Sequence, residues 1–194
     1  MEESVNVSPR VVPMICDGNC LFRALSYLIY GTQFGHEKIR RIIVNHVCSH
    51  WEKFKILSCT PLEDNYSTAN EYQAEMGLCD TYGTLCELIA ASQVFPFVFE
   101  VWNDGTLYYT TAVHNRADVP TKRLRFTGNF SGGHFDVLED AETENESAIE
   151  DDVFRPLHGK NIRQQGDRRC KRIYENRARR SARRMNRSVA EKNK

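Results

Sequence analysis

The sequence predicts an α+β domain in which several helices come first and a small, mostly antiparallel sheet follows, packed between those helices. The first observation is helical periodicity of the apolar residues before residue 93. The second is the alternation of apolar and polar residues in short runs after residue 96, separated by turn residues. The chain has 194 residues, of which 41% are hydrophobic and 27% are charged, so it can bury a core. Helices followed by strands are typical of the α+β class.

Four helices are expected in the first half of the chain. The first has apolar residues at helical spacing from Leu21 onward and ends at Gly31. The third starts at Thr68, because Thr68 and Glu71 have the spacing of a capping box. The predicted helices thus cover Leu21 to Ile29, Glu37 to Phe54, Thr68 to Met76, and Thr84 to Ser92.

Four strands are expected after these helices. The dipeptide Asp104-Gly105, preceded by Asn103, indicates a hairpin turn between the first two. The predicted strands are Phe97 to Trp102, Thr106 to Val113, Arg123 to Thr127 and His134 to Leu138.

The charge is distributed very unevenly, although the net charge of the whole chain is zero. Residues 1–154 carry 23 acidic and 11 basic side chains, whereas residues 155–194 carry 3 acidic and 15 basic ones. We therefore divide the chain into an N-terminal extension (1–10), the folded domain (11–138), an acidic linker (139–154) and a basic tail (155–194). The tail could bind nucleic acid by charge or direct nuclear import. A solvated tail, or one that folds back on the acidic domain, explains it equally well.

The composition also bears on location. The first ten residues are polar and acidic, unlike a secretory signal, and no segment approaches the length of about 18 apolar residues that a membrane span needs. The seven cysteines are an odd number without a C-x-x-C pair, which favours a reducing compartment. We expect a cytoplasmic protein, with a nuclear location also compatible with the tail, and no membrane partner.

Cys20 is the first candidate for chemistry. It follows Asp17, Gly18 and Asn19 and stands where the loop meets the first predicted helix. The positive end of a helix dipole favours a thiolate over a thiol. The backbone N–H groups of Gly18 and Asn19 could also hold the oxyanion of a tetrahedral intermediate. By this position alone, a buried structural cysteine is an equally good interpretation.

His134 and Asp136 are the second candidate group. They follow the glycines at positions 132 and 133 on a predicted strand, where residues i and i+2 share a face. A thiolate nucleophile needs a base, and the base needs an orienting partner, so the pair supplies both. An ordinary half-buried histidine on an edge strand is the simpler interpretation of His134 by itself.

Taken together, these stretches resemble the ovarian tumour (OTU) cysteine proteases, which are deubiquitinases. Residues 17–24 (DGNCLFRA) resemble the nucleophile motif of that family, and residues 133–136 (GHFD) resemble its histidine block. Asn70 to Met76, Tyr82-Gly83 and Glu87 to Ala90 are similar to its middle block. Tyr82 stands where tryptophan is common in the family, and Phe135 where tyrosine is common.

The resemblance implies a papain-like OTU fold and a thiol-dependent isopeptidase that cleaves after the C-terminal glycine of ubiquitin. Cys20 is then the nucleophile, His134 the general base and acid, and Asp136 the residue that orients His134. Asp17 shapes the oxyanion loop or serves as the alternative acid. Ubiquitin or polyubiquitin is the implied partner, and ubiquitin-like modifiers are further candidates.

A second function remains open at this stage, namely a non-catalytic module that binds ubiquitin or associates with nucleic acid. The intact set of Cys20, His134 and Asp136 discriminates between the two, because a binding module would be free to lose it. His46 and His50 have the spacing of zinc ligands on a helix, but the apolar face of that helix explains both. No metal or other cofactor is expected.

Overall fold

The computed structural model describes residues 9–60, 64–111, 118–128 and 133–140. The predicted basic tail, the acidic linker beyond Asp140 and Gly132 lie outside the described residues. The same holds for residues 1–8 of the N-terminal extension.

Helices and strands follow one another in the predicted order, so the α+β class is confirmed. A 3₁₀ helix, Gln33–Gly35, lies between the first two helices. The helices are α1 (Cys20–Tyr30), α2 (His36–Ser49), α3 (Trp51–Phe54), α4 (Ala69–Met76) and α5 (Leu85–Val94). The strands are β1 (Arg10–Val12), β2 (Val98–Asn103), β3 (Thr106–Thr110), β4 (Thr121–Thr127) and β5 (His134–Glu139).

The predicted second helix is wrong in its extent. The structure divides it at His50, whose backbone (φ −120°, ψ 34°) leaves the helical region. The N–H of His50 still donates to the carbonyls of His46 and Val47, which ends α2, and α3 begins at the next residue. The apolar face continues across the break, with Val47 and Phe54 both buried, so periodicity alone did not reveal it.

Two threonines begin helices as capping residues. Thr68 accepts from the N–H of Glu71, but Glu71 receives the N–H of Ser67 rather than that of Thr68, so the predicted capping box is only half formed. The complete box lies at α5, where Thr84 accepts at the first turn and Glu87 receives the Thr84 N–H at 2.6 Å. Gly31 ends α1 as predicted, in the left-handed conformation with φ 72°.

Within the described residues the sheet has five strands in the order β1-β5-β4-β2-β3. All neighbours are antiparallel except β2 and β4, which are parallel, so the prediction of a mostly antiparallel sheet is confirmed. β1 was not predicted; it pairs with β5 in the register Val11 to Leu138. Its first residue, Arg10, and the last residue of β5, Glu139, each lie one residue outside the predicted domain limits of 11 and 138.

The β2–β3 hairpin confirms the predicted turn. Asp104 and Gly105 have φ values of 47° and 78°, the pair of positive values that a two-residue hairpin of type I′ requires. The core is formed by α1, α2, α5 and the inner face of the sheet, with Leu21, Ile43, Leu88, Phe99 and Val137 among its buried members. No helix within the described ranges is long and apolar enough to cross a membrane.

Candidate active site

Cys20 is the first residue of α1, and its side chain is buried. The first intrahelical hydrogen bond runs from the Arg23 N–H to the Asn19 carbonyl at 2.8 Å. The N–H groups of the first turn therefore have no partner within the helix and point toward the loop that precedes Cys20. The thiol lies at the positive end of the helix dipole, as the sequence predicted.

His134 begins β5 and lies beside Cys20, with which its side chain forms a hydrogen bond. On its other side, His134 Nε2 is 3.0 Å from Asp136 Oδ1. Because Nε2 is engaged by Asp136, Nδ1 is the ring nitrogen left to exchange a proton with Cys20. The three residues that the sequence singled out from opposite ends of the domain thus form one connected line.

The pKa of His134 is strongly raised. Burial lowers it, but the hydrogen bonds to Asp136 and Cys20, and the negative charge of both partners, raise the pKa to about 10. His134 is therefore an imidazolium at neutral pH.

Asp136 is held by three donors. Its Oδ1 accepts from the Met14 N–H at 3.0 Å as well as facing His134, and its Oδ2 pairs with the guanidinium of Arg125. Burial raises the pKa of Asp136, but the hydrogen bonds from His134, Met14 and Arg125 outweigh burial and lower the pKa to about 2. The carboxylate is ionised throughout the neutral range.

Asp17 has a different partner. Both of its oxygens face the Arg23 guanidinium, with Arg23 Nη2 2.6 Å from Oδ2, and its Oδ1 also accepts from the Asn19 N–H at 3.0 Å. Burial alone would raise the pKa of Asp17, but the bonds from Arg23 and Asn19 lower it. In this structure Asp17 fixes the loop before Cys20, and Asp136 is the carboxylate that contacts His134.

Asn19 is buried and joins the loop to two other segments. Its Oδ1 accepts from Arg40 Nη2 at 2.8 Å and from the Asp80 N–H at 3.1 Å. Arg40 also donates to the carbonyls of Met76 and Thr81. The predicted role of the Asn19 N–H in binding an oxyanion conflicts with this geometry, because the Asp17 carboxylate already takes that N–H.

Gly18 and Gly83 allow close approaches around this loop. Gly18 has φ 87°, and a Cβ there would lie 2.2 Å from the Asp80 carbonyl oxygen. A Cβ on Gly83 would lie 2.8 Å from Leu21 and 2.9 Å from Phe22 on α1. Both positions therefore require glycine. Gly18 lets the nucleophile segment pack against the Asp80 backbone, and Gly83 lets its own segment pack against α1.

The two departures from the family pattern contact one another. The rings of Tyr82 and Phe135 stack with centroids 6.2 Å apart, so the middle block packs on the strand that carries His134. Elsewhere in that block, Tyr72 donates to Glu87 Oε1 at 2.7 Å in the buried space between α4 and α5. These contacts are structural, and they hold the middle block together and against β5.

Other thiols in the described ranges have different surroundings. Within these ranges, the cysteines that form no disulfide are Cys20, Cys48, Cys59, Cys79 and Cys86. Burial raises the pKa of Cys48, and burial together with Glu87 raises that of Cys86. Cys79 is exposed.

Protein groups hold both histidines of the predicted pair, His46 on α2 and His50 just after it. His46 Nε2 lies 3.0 Å from Gln93 Oε1, and His50 Nδ1 donates to the His46 carbonyl at 2.9 Å. Within the described ranges no three His, Cys, Asp or Glu side chains are grouped as metal ligands.

Sequence reasoning missed the groups that hold the two aspartates. Arg23 lies in the nucleophile motif and is buried. The available sequence signal was an arginine within the amphipathic pattern of the first helix. The Arg125 guanidinium and the Met14 N–H reach Asp136 because β4 and β1 pair with β5 in a particular register. The sequence did not predict this register.

Comparison with known proteins gives sequence relatives of one kind. No model of a known protein family matches the chain. The chain is 29% identical over 133 residues to the mouse protein called OTU domain-containing protein 1, covering 66% of this chain and 27% of that protein. The human protein of the same name is also 29% identical over 133 residues, with 26% of its length covered. The chain thus spans about a quarter of the length of the curated relatives it matches.

Solved structures agree on the fold. The OTU domain of OTUD1 superposes with a TM-score of 0.56 at 24% identity, covering 68% of this chain and 86% of that one. An OTU domain solved in complex with ubiquitin has a TM-score of 0.54 at 18% identity and covers 92% of this chain and 96% of that one. The fold predicted from the resemblance is therefore confirmed. Together with the sequence relatives, these structures show that the chain has the fold of an OTU domain.

Proposed function

We propose that this chain is a thiol-dependent deubiquitinase that hydrolyses the isopeptide bond at the C-terminal glycine of ubiquitin or polyubiquitin. The observation that carries the proposal is the connected line Cys20–His134–Asp136, with a thiol at a helix N-terminus and a histidine held by a buried carboxylate. One of the similar solved OTU domains described above is in complex with ubiquitin, and this supports ubiquitin as the substrate class.

The first half of the reaction makes a thioester. The Cys20 thiolate attacks the carbonyl carbon of the isopeptide bond, and the carbonyl oxygen becomes an oxyanion. When the tetrahedral intermediate collapses, the C–N bond breaks and His134 Nδ1 gives its proton to the leaving lysine amine. The raised pKa of His134 supports this role, because the imidazolium is already present when the thiolate attacks.

The second half releases the product. Neutral His134 takes a proton from water, whose oxygen attacks the thioester carbonyl. Collapse of the second intermediate breaks the C–S bond, which frees the glycine carboxylate and restores the Cys20 thiolate beside the imidazolium. Asp136 stays ionised and orients the ring throughout, as its lowered pKa permits.

The N–H groups of Cys20 and Gly18 are the donors that we assign to the oxyanion. Cys20 lies in the first turn of α1, where backbone donors have no helical partner. Asp17 and Arg40 keep the loop in place by holding Asn19 from its backbone and its side chain, respectively. Preorganised donors of this kind stabilise the charge that develops in the transition state.

A non-catalytic binding module is the competing function, and the assembled site argues against it. A ubiquitin derivative with a C-terminal electrophile distinguishes the two. We expect one covalent adduct per chain, at Cys20, detected by intact mass and located by peptide mass spectrometry. Cys20→Ala should give no adduct and no turnover while it still binds ubiquitin, and His134→Ala should lower the labelling rate by more than about 100-fold.

The exposed Cys79 provides a matched control. Cys79→Ala removes the accessible thiol outside the site and should leave labelling at the rate of the original chain. An adduct that moves to Cys79, or a Cys20→Ala variant that still turns over a fluorogenic ubiquitin substrate, would refute the proposal.

A further inference from the structure

Arg125 lies on β4 directly opposite Asp136 on β5. The two residues are register partners in an antiparallel pair, so their side chains stand on the same face of the sheet. The Arg125 guanidinium pairs with Asp136 Oδ2, whereas Oδ1 of the same carboxylate faces His134. Oδ2 is therefore held by Arg125, whereas Oδ1 is shared by His134 and the Met14 N–H.

This ion pair differs from an ordinary surface pair. The Asp136 side chain is 5% exposed and that of Arg125 is 27% exposed, so water screens their attraction less than it does between exposed groups. A buried carboxylate that loses one of its donors rotates toward others, because an unpaired buried charge is costly. The position of Oδ1, and with it the orientation of the His134 ring, depends on what Oδ2 is bound to.

We propose that Arg125 is a positioning residue that fixes the Asp136 carboxylate so that its Oδ1 holds His134 in line with Cys20. Arg125 acts through Asp136 and contacts neither Cys20 nor the reacting bond. The inference builds on the proposed function, since it assigns a further residue to the same reaction. The role requires the planar guanidinium of arginine, because the ammonium of lysine is a point charge on a flexible side chain and does not reproduce its paired donors.

Arg123 supplies a matched control. It lies two residues earlier on β4, on the same face, and its guanidinium pairs with Glu100 and Asp140 rather than with the site. Loss of Arg123 removes the same charge and a similar amount of side chain from the same strand. Any effect specific to Arg125 therefore comes from Asp136.

The first test compares Arg125→Ala, Arg125→Lys and Arg123→Ala on a fluorogenic ubiquitin substrate. Arg125→Ala should lower kcat by about 10- to 100-fold with KM changed by less than about twofold, because misplacement of a catalytic group slows the chemical step. Arg125→Lys should recover only part of the loss, and Arg123→Ala should keep the original kcat. Should Arg125→Ala fail to fold, Arg125→Lys carries the comparison, and an unchanged kcat in that variant would overturn the inference.

Chemical rescue distinguishes positioning from a structural effect. Because the Arg125 side chain is partly exposed, millimolar methylguanidinium should enter the space left in Arg125→Ala and restore kcat at least fivefold, on the order expected for a recovered alignment. Methylammonium, which lacks the planar pair of donors, should not. A loss that methylguanidinium does not reverse, or an equal loss in Arg123→Ala, shows that Arg125 has no positioning role.

A second readout does not depend on ubiquitin. The rate at which iodoacetamide alkylates Cys20 at neutral pH, followed by peptide mass spectrometry, should fall in Arg125→Ala and recover with methylguanidinium. If the original chain cleaves no ubiquitin substrate, the proposed function is wrong, and the alkylation rates alone decide the role of Arg125. If it cleaves ubiquitin but both readouts of Arg125→Ala match the original chain, only the inference is wrong.

Discussion

Asp136 and Asp17 both belong to the candidate site, but different arginines hold them. Asp136 contacts His134 and Arg125, while Asp17 contacts Arg23 and the N–H of Asn19. The sequence offered both as the acid that orients the histidine, and the distances favour Asp136. Mutation of each should therefore have a different signature.

We expect Asp136→Asn to lower kcat by about 10- to 1000-fold, less than the roughly 10⁴-fold loss in a Ser-His-Asp enzyme, because the thiolate–imidazolium pair forms in advance. Asp17→Asn should also impair turnover, through the loop. The check is the pH dependence of Cys20 alkylation, which Asp136→Asn should shift and Asp17→Asn should leave largely unchanged. The opposite pattern would mean that the two roles are reversed.

The pKa shifts of His134 and Asp136 also make stability depend on pH. The pKa of His134 is raised from 6.5 to about 10, so its contribution is complete below pH 6.5 and is lost as pH rises through about 10. The pKa of Asp136 is lowered from 3.8 to about 2, so its contribution is complete above pH 3.8 and is lost as pH falls through about 2. Thermal unfolding of the original chain and Asp136→Asn should therefore show their largest difference in Tm between pH 3.8 and pH 6.5, and a difference independent of pH would contradict these shifts.

At the scale of elements, the loop before α1 is held against the segment after α4. Gly18 and Gly31 both have positive φ, but a Cβ at Gly31 meets nothing within 4 Å, whereas one at Gly18 meets the Asp80 carbonyl oxygen at 2.2 Å. Substitution of Gly31 therefore tests backbone strain alone, whereas substitution of Gly18 tests the same strain together with a steric clash.

Gly31→Ala should lower the free energy of unfolding by about 1 kcal/mol, the cost of a left-handed alanine, and keep activity. Gly18→Ala carries the same strain and also displaces the loop that bears Asn19, so it should abolish turnover. Urea unfolding and activity per mole of folded protein measure both effects. Equal activity in the two variants would show that the loop tolerates displacement.

The sequence was informative where local chemistry decides the structure. Gly31, Thr68 and Asp104-Gly105 were sufficient to place a helix end, a helix start and a hairpin, because each acts locally through its own backbone or side chain. The break at His50 was missed since an apolar face crosses it. The donors on Asp136 were missed since they come from β4 and from Met14, just after β1, and strand register is a property of the folded sheet.

At the scale of the whole molecule, every contact described around Cys20, His134 and Asp136 comes from residues between 14 and 136. β5 ends at Glu139, and Arg123 pairs with Asp140 just beyond it. We expect a chain that ends at Asp140 to keep its activity on a fluorogenic ubiquitin substrate within about twofold, because all the contacts described around the site lie within the residues that are retained. Near-total loss of activity would show that the basic tail contributes to the site, and nucleic-acid binding by that tail stays a prediction.

The position of β5 has a consequence for synthesis of the chain. It is the last strand in sequence, yet it lies between the first strand and β4, and it carries both His134 and Asp136. During translation, the edges of β1 and β4 that pair with β5 have no partner strand until β5 is synthesised. The hydrogen bond from the Met14 N–H to Asp136, for example, joins residues that are 122 positions apart in the sequence. A ribosome-bound chain that lacks β5 contains Cys20 but neither His134 nor Asp136, so we expect the three side chains to come together only when β5 is inserted between β1 and β4.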